Sequence, residues 1–139
     1  MAKSWGLEVI VGKNAFKKHN HFAGTDEERQ SDLQLALNDK KIKAIWCSRG
    51  GYGTVRIIDQ LDFTAFEKYP KWVVGYSDIT TLHSTIHNLG IATIHASMPG
   101  GMRRATEAAK QTLYKALFGY SYSFEIPANP LNKLGTAKG

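Results

Sequence analysis

The sequence predicts a doubly wound α/β fold with a mostly parallel sheet of about four strands, and three observations lead there. Short runs rich in β-branched and aromatic residues alternate with amphipathic helical stretches along most of the 139 residues. Two of those runs lead straight into glycine-bearing turns, the form a strand-to-helix connection takes in such sheets. The length suits one domain around one core, and 42% hydrophobic against 22% charged residues is an ordinary globular balance.

The elements follow in order. Ala2 to Trp5, ahead of Gly6, have the form of a last helical turn with its glycine cap. Leu7, Val9, Ile10 and Val11, closed by Gly12, predict a first strand over 7–11. Residues 12–24 are of mixed polarity and predict a loop. Thr25 followed by Glu28 is a capping box, Asp26 and Glu27 suit the first turn, and Leu33, Ala36 and Leu37 recur at helical spacing before Lys40 and Lys41. A strand over 42–47, interrupted only by Lys43, runs into Ser48, Arg49, Gly50, Gly51, Tyr52 and Gly53, and a helix is expected over 54–60. Trp72, Val73 and Val74 form the next strand, ended by Gly75. A helix then starts at Ser77 or Asp78, carries Ile79, Leu82, His83 and Ile86 on one face, and closes at Gly90. A fourth strand over 91–95 and a fourth helix over 106–118 complete a domain of residues 1–120. Residues 121–139, with Pro127, Pro130, Gly135 and Gly139, read as a linker.

Charge and composition narrow the function classes. Lys and Arg number 18 against 12 Asp and Glu, a formal net charge of +6, but the basic residues are scattered and alternate with no aromatic platform, so a nucleic-acid partner is not expected. The lone Cys47 cannot form an internal disulfide, and a reducing compartment is the default. No apolar run approaches the ~20 residues of a membrane span and the first residues lack a signal-peptide pattern, so a soluble, cytoplasmic chain with no membrane partner is expected.

Ligands of a parallel α/β sheet gather beyond the carboxyl ends of its strands, and two turns there carry candidate chemistry. The glycines after Arg49 free backbone N–H groups to face an anion or a developing oxyanion, although a tight connection needing positive φ uses the same residues. Gly75, Tyr76, Ser77 and Asp78 resemble a nucleophile elbow, with the Asp78 N–H at the positive end of a helix; Ser77 as a plain N-cap is the alternative. Cys47 at a strand end is a second nucleophile candidate and otherwise a small core residue. His83 and His87, four positions apart, have a spacing that can hold a metal, but no carboxylate joins them, and His83 shares an apolar stripe that suits a hydrogen-bonded core histidine. His95 ends a strand, either as a base or as a residue pinning that end through hydrogen bonds.

The segments AGTDEERQSDLQLAL, IKAIWCSRGGYG, LDF, PKWVVGYSDITTLH and TIHASM, in this order, resemble the LD-carboxypeptidase family, which also contains the microcin C immunity peptidases. The match runs from about Trp5 to the C-terminus. The resemblance implies a flavodoxin-like, class I glutamine amidotransferase-like sheet and a serine peptidase with a Ser-Glu-His triad, in which Ser77 occupies the nucleophile position. It implies an oxyanion hole from the backbone N–H groups of Asp78 and a glycine of the RGGYG turn, here Gly51. It implies cleavage of the L,D-amide bond before the terminal D-alanine of a murein tetrapeptide in cytoplasmic cell-wall recycling, or of a microcin-like aminoacyl nucleotide. No cofactor or metal is implied, and Arg49 is a candidate partner for the substrate carboxylate. The expected partners are the murein peptide and a C-terminal domain of the same enzyme, and a homodimer is compatible with this reading. Two departures accompany the match. The family's relay Glu and His belong to that C-terminal domain, so neither maps onto these residues. The family's first strand also precedes the matched region, which predicts a gap in the sheet between the strands at 7–11 and 42–47. A non-catalytic anion-binding module and a cysteine hydrolase centred on Cys47 are the competing expectations.

Overall fold

The computed structural model describes residues 1–123, 128–131, 133 and 135. Helix α1 (Asp26–Asn38) begins as its capping box dictates: the Thr25 hydroxyl accepts the Glu28 N–H at 3.3 Å and the Glu28 carboxylate accepts the Thr25 N–H at 3.0 Å. Its other end is capped from a distance by the buried Lys71, whose ammonium donates to the carbonyls of Ala36, Leu37 and Asp39 at 2.7–2.9 Å. All three lysine donors are thus used where the helix dipole favours positive charge, while burial pulls the lysine below its ordinary pKa. This fixes α1 to the start of the neighbouring strand.

The sheet is three parallel strands, β1 (Ala44–Trp46), β2 (Trp72–Gly75) and β3 (Ile94–His95), in the order β1-β2-β3. Ile45 stands opposite Val73, Val74 opposite Ile94 and Gly75 opposite His95. Successive side chains of a strand point to opposite faces, and the core divides accordingly. Val73 packs with Leu37 of α1, Phe66 of α2 (Thr64–Lys68) and Leu82 and Ile86 of α3 (Thr80–Asn88). Val74 packs on the other side with Met102 of α4 (Pro99–Met102), Leu113 of α5 (Glu107–Phe118) and the partly buried Trp5, Trp46 and Trp72. Helices cover both faces, so the doubly wound architecture holds, and the strand ends at Trp46, Gly75 and His95 share one edge.

Several boundaries differ from expectation. Residues 7–11 form no strand: after the Leu7 N–H meets the Ala2 carbonyl at 3.2 Å no backbone hydrogen bond among the described residues holds residues 8–11, and Val9, Ile10 and Val11 are 43, 70 and 54% exposed. A β-branched run becomes a strand only beside a neighbour that completes its ladder, and among the described residues β1 pairs with β2 alone, leaving three strands rather than about four. The strands expected over 42–47 and 91–95 contract to their paired residues for the same reason. The helix expected over 54–60 is a turn followed by a 3₁₀ turn, Ile58–Gln60. Unforeseen are α2, which has one buried residue, Phe66, and therefore no apolar period, and α4, whose Gly100 and Gly101 argue against a helix although Pro99 opens it. The turn Ala2–Trp5 with Gly6 at φ 79° and α5 between Thr106 and Gly119 stand as read. The described residues of 121–139 carry no helix or strand, whereas Pro127 and Gly139 of the proposed linker lie outside the described residues.

Candidate active site

The turn after β2 is made possible by Gly75. A Cβ there would lie 2.8 Å from the Ile79 side chain, so only glycine lets the chain leave the strand straight into the 3₁₀ turn Ser77–Ile79 that precedes α3. Tyr76 is extended, and Ser77 then takes φ 61°. For a residue with a Cβ this left-handed conformation costs about 1–2 kcal/mol. Ser77 is exposed and is the first residue inside the 3₁₀ turn, whose N-cap is Tyr76, so the N-cap alternative does not describe it. Asp78 is not a simple first-turn acid either, because its carboxylate points across to the turn after β1.

That second turn is equally constrained. Gly51 has φ 135° and Tyr52 φ 63°, with the Tyr52 side chain 79% exposed. Gly50 lies against the other turn: a Cβ on it would be 3.3 Å from the Asp78 Cβ and 3.6 Å from the Asp78 amide nitrogen. The Asp78 carboxylate accepts the Gly53 N–H at 3.0 Å, the Thr54 N–H at 3.1 Å and the Thr54 hydroxyl at 3.0 Å. The carbonyl of Gly53 accepts from the Arg29 guanidinium of α1 at 2.9 Å. Neither the Gly51 nor the Asp78 N–H has a hydrogen-bond partner among the described residues. Arg49 is exposed with no hydrogen bond or ion pair among the described residues, so the bracing of the glycine turn, an alternative role for Arg49, falls to Asp78 and Arg29. Arg29 carries no sequence signal for this; it is one of many charged residues on α1, and only the fold brings it to Gly53.

The remaining candidates separate. Burial, with the Asp78 carboxylate adding to it, pushes the Cys47 thiol up to about 12, and its side chain packs against the core. A thiol so placed holds almost no thiolate near neutrality. In the native protein at pH 8 Cys47 is expected to react with iodoacetamide on the order of 10²–10³ times more slowly than in urea; equal rates in mass-spectrometric time courses would reinstate it as a nucleophile. His83 is buried, and its Nε2 donates to the Gly75 carbonyl at 3.1 Å, as a core histidine would. His87 is exposed, so the pair does not form a site, and no group of three metal-ligating side chains occurs among the described residues. The His95 side chain makes no hydrogen bond among the described residues; its ring meets Tyr76 edge-on at 6.4 Å, beside the Ser77 turn.

The chain as a whole is similar to known proteins. The family described as LD-carboxypeptidase N-terminal domain matches residues 1–96. A probable murein peptide carboxypeptidase of Bacillus subtilis (strain 168) is 40% identical over 143 residues, covering 96% of this chain and 44% of the relative. Among solved structures, the microcin self-immunity protein MccF in its wild-type apo state has the same fold, with a TM-score of 0.75 at 23% identity over 85% of this chain and 38% of that one. A muramoyltetrapeptide carboxypeptidase from Oxalobacter formigenes has a TM-score of 0.71 at 28% identity, over 83% of this chain and 40% of its own. The chain spans less than half the length of each of these proteins.

Proposed function

Because this chain belongs to the LD-carboxypeptidase family, we propose that it carries the nucleophile of a serine peptidase that releases the terminal D-alanine of a murein tetrapeptide in cytoplasmic cell-wall recycling. The observation that carries the reading is Ser77: exposed, held at φ 61° where glycine would rest more easily, and in a turn that packs on the glycine turn through Gly50, the Asp78 and Gly51 N–H groups of these two turns having no hydrogen-bond partner among the described residues. In this mechanism the Ser77 Oγ attacks the scissile carbonyl, and the Asp78 and Gly51 N–H groups receive the oxyanion. A histidine from outside the described residues takes the serine proton and passes it to the leaving amine, oriented by a glutamate from the same region. Water then hydrolyses the acyl-serine. Arg49, exposed at the same edge, is assigned to the substrate's terminal carboxylate.

The test is D-alanine release from a murein tetrapeptide, measured for the 139-residue chain and for a longer protein extending past it to the length of its relatives. Release is expected only from the longer protein. Rapid release by the shorter chain would place the base within these residues and overturn this division of labour. A non-catalytic anion site would be supported by binding of the tetrapeptide to the longer protein without turnover. The free Ser77 hydroxyl favours the peptidase.

A further inference from the structure

We propose that Asp78 and Arg29 are positioning residues that hold the Gly53 peptide from both sides and thereby set the distance between the glycine turn and Ser77; this rests on the peptidase reading above for its catalytic consequence only. The two turns leave different strands, and the ladder between those strands stops where the Cys47 N–H meets the Val74 carbonyl at 3.0 Å. Beyond that point no backbone hydrogen bond joins residues 48–54 to residues 76–79. The hydrogen bonds that cross the gap all end on the Asp78 carboxylate, from the Gly53 N–H, the Thr54 N–H and the Thr54 hydroxyl.

The carbonyl side of the Gly53–Thr54 peptide unit, whose N–H is the Thr54 donor, is held by α1. Arg29 donates to the Gly53 carbonyl at 2.9 Å, is paired with Asp26 through its other terminal nitrogen, and lies 4.6 Å from the Phe22 ring centroid. Gly53 is buried, and a Cβ on it would run into the Arg29 guanidinium and come within 3.2 Å of the Phe22 ring. The absence of a side chain at Gly53 is what lets the arginine reach the carbonyl. An oxyanion site works only when both donors are fixed before the charge develops, to within about 0.5 Å. Asp78 thus has two separable roles, its N–H toward the substrate and its carboxylate toward the turn that carries the second donor.

The experiment uses amide hydrogen exchange by NMR on the 139-residue chain and steady-state kinetics on the longer protein that releases D-alanine. Asp78→Ala, which removes the one oxygen that accepts all three hydrogen bonds, is expected to speed exchange at Gly53 and Thr54 at least about tenfold and shift the Gly51 resonance, with α5 amides unchanged. Arg29→Gln is expected to shift Gly51 similarly, and Arg29→Lys to restore part of the effect. In the kinetics both variants lower kcat by about 10²–10³, the cost of one misplaced oxyanion donor, with KM nearly constant. Unchanged exchange at Gly53 and Thr54, a uniform loss of protection across the chain, or a kcat within twofold of the parent would each overturn the proposal. Ser77→Ala is the control: it leaves exchange at Gly53 and Thr54 as it was, and full activity in that variant would remove the nucleophile assignment while leaving the exchange result to stand.

Discussion

Replacing Ser77 with alanine is expected to lower kcat for D-alanine release in the longer protein by about 10⁴–10⁶, the range found when a peptidase loses its nucleophile. The remaining rate would come from substrate binding and the oxyanion donors, which the substitution leaves in place. Substrate affinity should change little, because the substitution removes a single oxygen from an exposed residue. A companion variant separates chemistry from architecture. Ser77→Gly removes the Cβ from a residue at φ 61°, relieving about 1–2 kcal/mol of conformational strain against about 0.5–1 kcal/mol of added chain entropy. That variant should be at least as stable as the parent and equally inactive. A serine retained where glycine fits better points to a use for the hydroxyl. Turnover within tenfold of the parent for Ser77→Ala, in a discontinuous assay of free D-alanine, would move the nucleophile elsewhere.

Phe66→Ala is the second large effect, this time on folding. Phe66 is fully buried on the face shared by α1, β2 and α3, and meets Phe63 edge-on with centroids 6.1 Å apart. Truncating a buried phenylalanine costs about 3–5 kcal/mol, from lost transfer energy and from the cavity left behind. A domain of this size commonly has about 5–15 kcal/mol in all, so most of the margin is at stake. Urea unfolding followed by tryptophan fluorescence should show the midpoint falling by about 1–5 M, given a slope of about 1–3 kcal/mol/M. Phe66→Leu should recover more than half of the loss. A midpoint shift under about 0.5 M for the alanine variant would mean that the helix carrying Phe66 is not integral to the core.

The legible parts of this protein are those written in local chemistry. The capping box at Thr25, the glycine caps at Gly6 and Gly119, and the turn from Gly75 through Asp78 depend on residues near one another in the chain, and each is where the sequence places it. The illegible parts depend on distant neighbours. Residues 7–11 have the composition of a strand yet no ladder, because hydrogen-bond partners are a property of the sheet and not of the run itself. Phe66 gave no periodic signal in a five-residue helix, although its ring is buried completely. Arg29 looks like any solvated helix charge until Gly53, 24 positions away, is folded against it.

The sequence alone determined that the chain is α/β and which serine stands at a sharp strand exit, since both follow from short-range sterics: alternating periods in one case, a glycine without a Cβ in the other. Tertiary structure alone decided how the two turns meet. Their contact runs through the Asp78 carboxylate, while the Arg29 guanidinium of α1 holds the Gly53 carbonyl of the glycine turn, and such charge-assisted hydrogen bonds exist only after the backbone has brought donor and acceptor within reach.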